Sequence, residues 1–224
     1  QAAYKFFIFT QAGGLLMFIS ILALYFINGN TTGVYTFDYF NFNEVFLQST
    51  TARWIMGGFL AAFLIKLPAI PLHNWLPDAH TQAPTAGSII LAGLLLKTGA
   101  YGLYRFILPL FPNASSLFGH AGMIIGIIGI LYGAKLAFAQ RDLKRMVAYT
   151  SISHMGFVLL AVFSFNDLAL KGGLMQMVAH GISTGALFFI AGSIQDRLHT
   201  RNINEMGGLW QTAPRMGGMA MVFA

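Results

Sequence analysis

Apolar residues run through this chain in long stretches separated by short polar or Gly/Pro/Asn-rich punctuation. A helix that crosses the hydrocarbon core of a bilayer needs about 20 mostly apolar residues. Six stretches meet that length, at roughly 4–28, 52–72, 84–108, 119–140, 143–165 and 169–195, and a further run starts near 213. None shows the alternation over about ten residues expected of a membrane β-strand. In lipid every backbone polar group must be satisfied internally, so the remaining class is a helical bundle. The longest polar connection lies between Asn28 and Thr51, where Val34-Tyr35-Thr36-Phe37-Asp38-Tyr39 alternates in a way that predicts a short surface hairpin.

Composition agrees with the pattern. The 224 residues are 56% hydrophobic and only 9% charged, with a mean hydropathy of +0.66, whereas a soluble domain carries roughly 25% charged residues. The absence of cysteine excludes a disulfide scaffold, a thiolate zinc site and a cysteine-held iron–sulfur cluster, so any redox centre lies elsewhere. The chain begins with Gln1 and ends inside an apolar run, Met221-Val222-Phe223-Ala224, and reads as a piece of a longer protein. The first apolar run is too long for a cleavable signal peptide and lacks a small-residue cleavage site.

The net charge of +6 points to basic loops on one side of a membrane rather than to a nucleic-acid partner, because Lys and Arg concentrate in cytoplasmic loops. If the first helix runs outward, one face receives Lys5, Arg141, Lys144, Arg145, Arg197, Arg201 and Arg215, and the other only Arg53, Arg105 and Lys171. The 140–145 and 196–206 connections are then cytoplasmic, and the 29–50 segment faces the other compartment. Lys135, near the end of its helix, reads as a snorkelling anchor.

Two lysines do not fit that description. Lys66 and Lys97 lie near the middle of their apolar runs, where an ionised side chain costs at least a few kcal/mol and both interfaces are about 15 Å away, beyond comfortable reach of a lysine stem. Desolvation disfavours the charged form of an amine, which suits a group that must load and release a proton. Pro68 and Pro71 follow Lys66 closely. Each removes a backbone donor, so the helix is expected to break there, and unwound backbone inside a span marks ion sites in transporters. His154 and His180 are also mid-run, and an imidazole can take a proton on one nitrogen and release it from the other. Hydrogen bonding between helices is the plainer role for either histidine.

The other histidines, His73, His80, His120 and His199, read as solvated residues of connections or helix ends. No histidine pair shows metal-ligand spacing with acids nearby. Gly122, Gly126, Gly129 and Gly133 form a small-residue face suited to close helix packing. All seven acids fall in connections or at helix ends, so the carboxylate that balances the buried lysines is expected upstream of Gln1 or on a partner chain.

The stretches KLPAIPLHNWLPDAHTQAPTAGS (66–88) and LAGLLLKTGAYGLYRF (91–106) closely resemble the proton-conducting antiporter-like subunits of respiratory complex I. The nearest likeness is to the M-type branch, the counterpart of mitochondrial NADH dehydrogenase subunit 4. DLKRMVAYTSISHMGF (142–157), QMVAHG (176–181), HTRN (199–202) and MGGLW (206–210) extend the resemblance over essentially the whole chain.

The resemblance implies an all-α polytopic transmembrane bundle with inverted repeats and a broken helix near Lys66/Pro68. Residues 1–112 would be the end of the first repeat, with about three transmembrane helices and the 29–50 loop. Residues 113–224 would begin the second, with about three helices and a truncated further one. Lys66 matches the family's lysine beside the broken helix, Lys97 its central connecting lysine, and His154 and His180 the histidines of its hydrophilic axis. The family's paired glutamate and terminal proton-transferring residue have no counterpart in these residues. No cofactor is expected in this chain; NADH, FMN, iron–sulfur clusters and quinone would belong to partner subunits, and other membrane subunits, including neighbouring antiporter-like ones, would be its partners. The expected location is the bacterial inner membrane, or the mitochondrial inner membrane if the gene is organellar. The alternatives are a multisubunit Mrp-type Na⁺/H⁺ antiporter, a related hydrogenase or photosynthetic membrane subunit, and a non-transporting scaffold.

Overall fold

The computed structural model describes residues 1–45 and 47–224. Its regular elements are helical, and no strand forms among the described residues. The first helix, α1 (Ala2–Thr32), ends at Gly33, whose φ of 79° is open to a residue without Cβ and lets its amide bond the Gly29 carbonyl. The expected hairpin at 34–39 is not there. Asp38 instead caps a short helix, α2 (Tyr39–Glu44), by accepting from the Phe40 amide. A lone alternating segment has no second strand to pair with, and local side-chain capping prevails. Phe46, within the expected 29–50 loop, lies outside the described residues.

The expected second span, 52–72, is divided. Helix α3 (Ser49–Lys66) stops at Lys66, and α4 (Trp75–Gln82) resumes after a non-helical turn. The prolines account for the gap. With the Ala69 amide bonded to the Leu64 carbonyl, the Ile65 carbonyl is free, and the indole Nε1 of Trp75 donates to it at 2.9 Å. One buried tryptophan thus ties the two halves of the broken helix together and satisfies a carbonyl that the break released.

The remaining long helices are α5 (Thr85–Leu110), α6 (Pro112–Phe138), α7 (Leu143–Phe163) and α8 (Asp167–Leu198). With α1 these make five helices long and apolar enough to cross a membrane. A 3₁₀ turn at Ile203–Glu205 and the helices α9 (Leu209–Thr212) and α10 (Pro214–Phe223) complete the chain.

Packing follows the small residues and the aromatics. Gly122, Gly126, Gly129 and Gly133 are buried on α6, as their spacing predicts. A Cβ at Gly126 would stand 2.9 Å from the Leu160 amide nitrogen, and one at Gly133 would stand 2.7 Å from that of Ser153, so the α6 and α7 backbones touch. Ser153 completes the seam by donating to the Ile130 carbonyl at 2.9 Å. Phe59 and Phe63 of α3 meet Phe106 of α5 in offset stacks, within a core that extends to Leu103, Ile107, Met155 and Val162.

At the basic end, α4 is held from three sides. Asp78 pairs with Lys5 of α1 at 2.7 Å and with Arg145 of α7 at 3.5 Å. Arg201 donates to the Thr81 carbonyl and lies 3.3 Å from Asp142. Asp142 also caps α7 by accepting from the Arg145 amide at 3.0 Å, worth about 1 kcal/mol. The 199–205 loop is bonded to this point through Leu143 N to Arg201 O and Ile203 N to Arg141 O.

Candidate functional site

Helix α5 is not uniformly α-helical. Its turns at Leu91–Leu95 and Leu103–Ile107 are π-helical, a widening that is often found at functional positions. Lys97 follows the first of them and donates to the Ala92 carbonyl within it. Its Nζ also lies 2.6 Å from Nδ1 of His180 on α8. Glycine makes that approach available, since a Cβ at Gly181 would stand 3.2 Å from the Gly93 carbonyl oxygen and 3.5 Å from Lys97 Cε.

His180 is 1% exposed, and its second ring nitrogen, Nε2, has no hydrogen-bond partner among the described residues. The ring of His154, on α7, stands nearly perpendicular to it with centroids 5.5 Å apart, and His154 Nδ1 is likewise buried without a partner among the described residues. Thr184, one turn beyond His180, is buried beside them. An amine in contact with an imidazole, with a second imidazole next to it, can pass one proton among three groups without carrying a second charge into the interior.

Lys66 is placed differently. It is the last residue of α3, where the helix breaks, and it lines a cavity of about 400 Å³ with Thr10 and Gln11 of α1 and Thr98 of α5. Among the described residues its side chain is exposed, on the cavity between α1 and α5. It forms no hydrogen bond to Lys97, His154 or His180. Pro68 is buried in the turn and Pro71 is exposed.

Three further groups overturn their sequence reading. His73 and His80 were expected in solvated positions, yet they are 5% and 0% exposed. His73 packs edge-on against Tyr132, with centroids 5.5 Å apart. His80 stacks on Phe188 of α8 with centroids 4.4 Å apart, the planes inclined by 12°. The turn after the break carries His73 inward and the resumption of the helix as α4 does the same for His80, which the proline-rich sequence conceals because it reads as the end of a span. Lys144, assigned to a cytoplasmic connection, is 3% exposed and its Nζ lies 3.4 Å from the Thr85 hydroxyl oxygen. His120 and His199 are exposed, as expected. No group of three or more His, Asp or Glu among the described residues is placed to hold a metal ion.

The family model for the membrane-spanning part of NADH:quinone oxidoreductase/Mrp antiporter subunits matches residues 1–224. The chain is 56% identical over 223 residues to NADH-quinone oxidoreductase subunit M of Pseudomonas aeruginosa and covers 44% of that protein. It is 54% identical to the same subunit of Escherichia coli, again over 44% of its length, and 43% identical to NADH-ubiquinone oxidoreductase chain 4 of Chondrus crispus. Each alignment takes in all of this chain, which spans less than half the length of these relatives. Among solved structures, a chain of respiratory complex I from Thermus thermophilus superposes with a TM-score of 0.91 at 36% identity, over 99% of this chain and 47% of that one. A chain of the Mrp complex from Dietzia shares the fold, with a TM-score of 0.86 at 22% identity. The Lys97–His180 contact behind the broken helix therefore sits in a chain that belongs to the NADH:quinone oxidoreductase/Mrp antiporter family of membrane subunits.

Proposed function

We propose that this chain is part of a proton-translocating membrane subunit of NADH:quinone oxidoreductase, in which quinone reduction elsewhere in the complex drives protons along Lys66, Lys97, His154 and His180. The observation that carries the reading is the 2.6 Å contact between Lys97 Nζ and His180 Nδ1. When Lys97 is an ammonium, the imidazole accepts its proton at Nδ1; when it is an amine, Nδ1–H donates to it. The pair therefore holds one transferable proton in two arrangements, and a change in the surrounding charge selects between them. His154 is the next group able to receive it. Lys66, on the cavity beside the broken helix, exchanges protons with water there, and Pro68 and Pro71 keep that backbone open.

Residues 1–112 belong in this reading to the end of one helical repeat and 113–224 to the start of the next. The partners are further membrane subunits of the complex, which supply the carboxylate facing Lys66 if the rest of this subunit does not. NADH, FMN, iron–sulfur clusters and quinone belong to partner subunits, since a chain without cysteine has no thiolate for a cluster. The location is the bacterial inner membrane, or the mitochondrial inner membrane for an organellar gene. A Na⁺/H⁺ antiporter of the Mrp type shares the fold, but relatives of 54–56% identity carry the oxidoreductase name.

The test is proton pumping by membrane vesicles that carry Lys97→Ala in the intact complex, with assembly and NADH-driven electron transfer followed in parallel. Loss of pumping and of coupled electron transfer in an assembled complex is the expected result. Normal pumping by the assembled variant makes the lysine structural and ends the relay reading.

A further inference from the structure

Helices α5, α7 and α8 meet at two levels with the same spacing on each. Lys97, His154 and His180, one from each helix, form the first junction. Tyr104, Ala161 and Gly173 form the second, where a Cβ at Gly173 would collide with the Tyr104 hydroxyl oxygen and stand 2.9 Å from the Ala161 β-carbon. On every helix the two members are seven residues apart, 97 to 104, 154 to 161 and 180 to 173. Seven residues make about two turns and return to the same face. The second junction is therefore the first one displaced by about 10 Å along the bundle, away from the end where α7 begins.

The polar atom of the second junction has a definite partner. The Tyr104 hydroxyl donates to the Leu170 carbonyl, near the start of α8, at 2.9 Å. It reaches that carbonyl because position 173 has no side chain in the way. A phenylalanine ring would fill the same space between the helices, so what the hydroxyl adds is a directional bond that is made at one axial setting of α5 against α8.

That setting matters because the piece of helix that carries Lys97 is not held by helical continuity. Leu96–Gly102 is α-helical but lies between the π-helical turns Leu91–Leu95 and Leu103–Ile107, so the regular backbone hydrogen bonding is interrupted on both sides of it. Toward α3 it presents Gly99, whose Cβ would stand 2.7 Å from the Phe63 carbonyl oxygen, and toward α8 the approach is Gly93 to Gly181. Glycine contacts bring backbones close without the interlocking side chains that oppose sliding. The Tyr104 hydroxyl in the notch at Gly173 is such an interlock, and it belongs to the second π turn itself.

We propose that Tyr104 is a positioning residue for the proton step between Lys97 and His180. By closing the same three helices two turns away, it fixes the height of Lys97 against His180 and His154. The inference rests on the relay reading of that pair and assigns no transferred proton to Tyr104. Proton transfer needs donor and acceptor at hydrogen-bond separation, and a misplacement of about 1 Å costs on the order of 100-fold in rate. Without the bond to Leu170 the Lys97 piece settles at other heights, and the 2.6 Å contact is made in only a fraction of the molecules.

The test uses the intact complex in membrane vesicles with Tyr104→Phe, Gly173→Ala, His180→Gln and Lys97→Ala made separately and Tyr104→Phe also combined with His180→Gln. Each is followed for assembly, proton pumping per assembled complex and the solvent deuterium isotope effect on pumping. Tyr104→Phe keeps the ring and removes the donor, whereas Gly173→Ala keeps the hydroxyl and displaces it. Both are expected to assemble and to pump at least about tenfold more slowly, with a larger isotope effect because the misaligned proton step then limits the rate. In the His180→Gln background Tyr104→Phe should add less than about twofold, since the contact it serves is already gone. A merely structural bond changes the amount of assembled complex and leaves the rate per complex and the isotope effect at their wild-type values. That result, or full additivity with His180→Gln, beside a failing Lys97→Ala overturns the positioning role and leaves the relay standing. Wild-type pumping by Lys97→Ala overturns the relay itself and this inference with it. If neither Tyr104→Phe nor Gly173→Ala assembles, Tyr104 is structural and the proposal falls.

Discussion

The Nζ atom of Lys97 and Nδ1 of His180 stand 2.6 Å apart although 83 positions separate them in the chain. The contact exists because α5 and α8 approach closely where Gly93 faces Gly181. A side chain at position 181 pushes the helices apart, so Gly181→Val is expected to separate the pair and lower pumping at least about tenfold, the scale of one lost proton-transfer contact. His180→Gln should do the same with less effect on assembly. Pumping rates normalised to assembled complex check both.

The α6–α7 seam sets a stability prediction. A Cβ at Gly133 would stand 2.7 Å from the Ser153 amide nitrogen and 3.1 Å from its Cα, both backbone atoms that cannot step aside. Gly133→Val therefore costs about 1–3 kcal/mol, the usual range for overpacking. Gly172→Ala, where the added carbon meets nothing within 4 Å, should leave stability unchanged. Thermal unfolding of the purified complex separates the two.

Arg201 bonds the Thr81 carbonyl at the end of α4 and pairs with Asp142 at the start of α7. The Arg201 and Asp142 side chains are 32% and 26% exposed, so solvent screening limits their mutual attraction to about 1 kcal/mol or less. Arg201→Gln is expected to destabilise more than Asp142→Asn in this respect, because it also releases the Thr81 carbonyl. Faster amide hydrogen exchange in 75–82 for Arg201→Gln alone is the outcome to look for.

The 199–205 loop carries its own pH dependence. The Thr200 hydroxyl and the Asn202 side-chain amide donate to Glu205 and hold its carboxyl below the usual glutamate value. A folded-state value that is lowered contributes stability in full above the ordinary glutamate range, and the contribution is lost as pH falls through the lowered value. The loop should thus become more susceptible to proteolysis on acidification through that range. Glu205→Gln should abolish this dependence, and limited proteolysis at a series of pH values reads it directly.

By itself the sequence determined what depends on composition and local chemistry. Run length and the scarcity of charge specify a membrane bundle, because lipid leaves an unsatisfied backbone no other partner. Pro68 and Pro71 specify the break after Lys66, because a proline has no amide to donate. The glycine spacing on 119–140 specifies a close helix contact. The motifs that carry the family likeness are legible for the same reason, being contiguous. What tertiary structure decided is which polar groups meet and which are hidden. Lys97 reaches His180 only through a glycine-mediated approach of two helices far apart in the chain. Lys66 comes to line one cavity with Thr10, Gln11 and Thr98 because of where its helix stops. His80 and Lys144 are buried because α4 resumes beyond the prolines and folds inward against α1 and α7, held by Trp75, Asp78 and Arg201. Burial of a polar side chain is a property of everything packed around it, and no local pattern of residues carries that information.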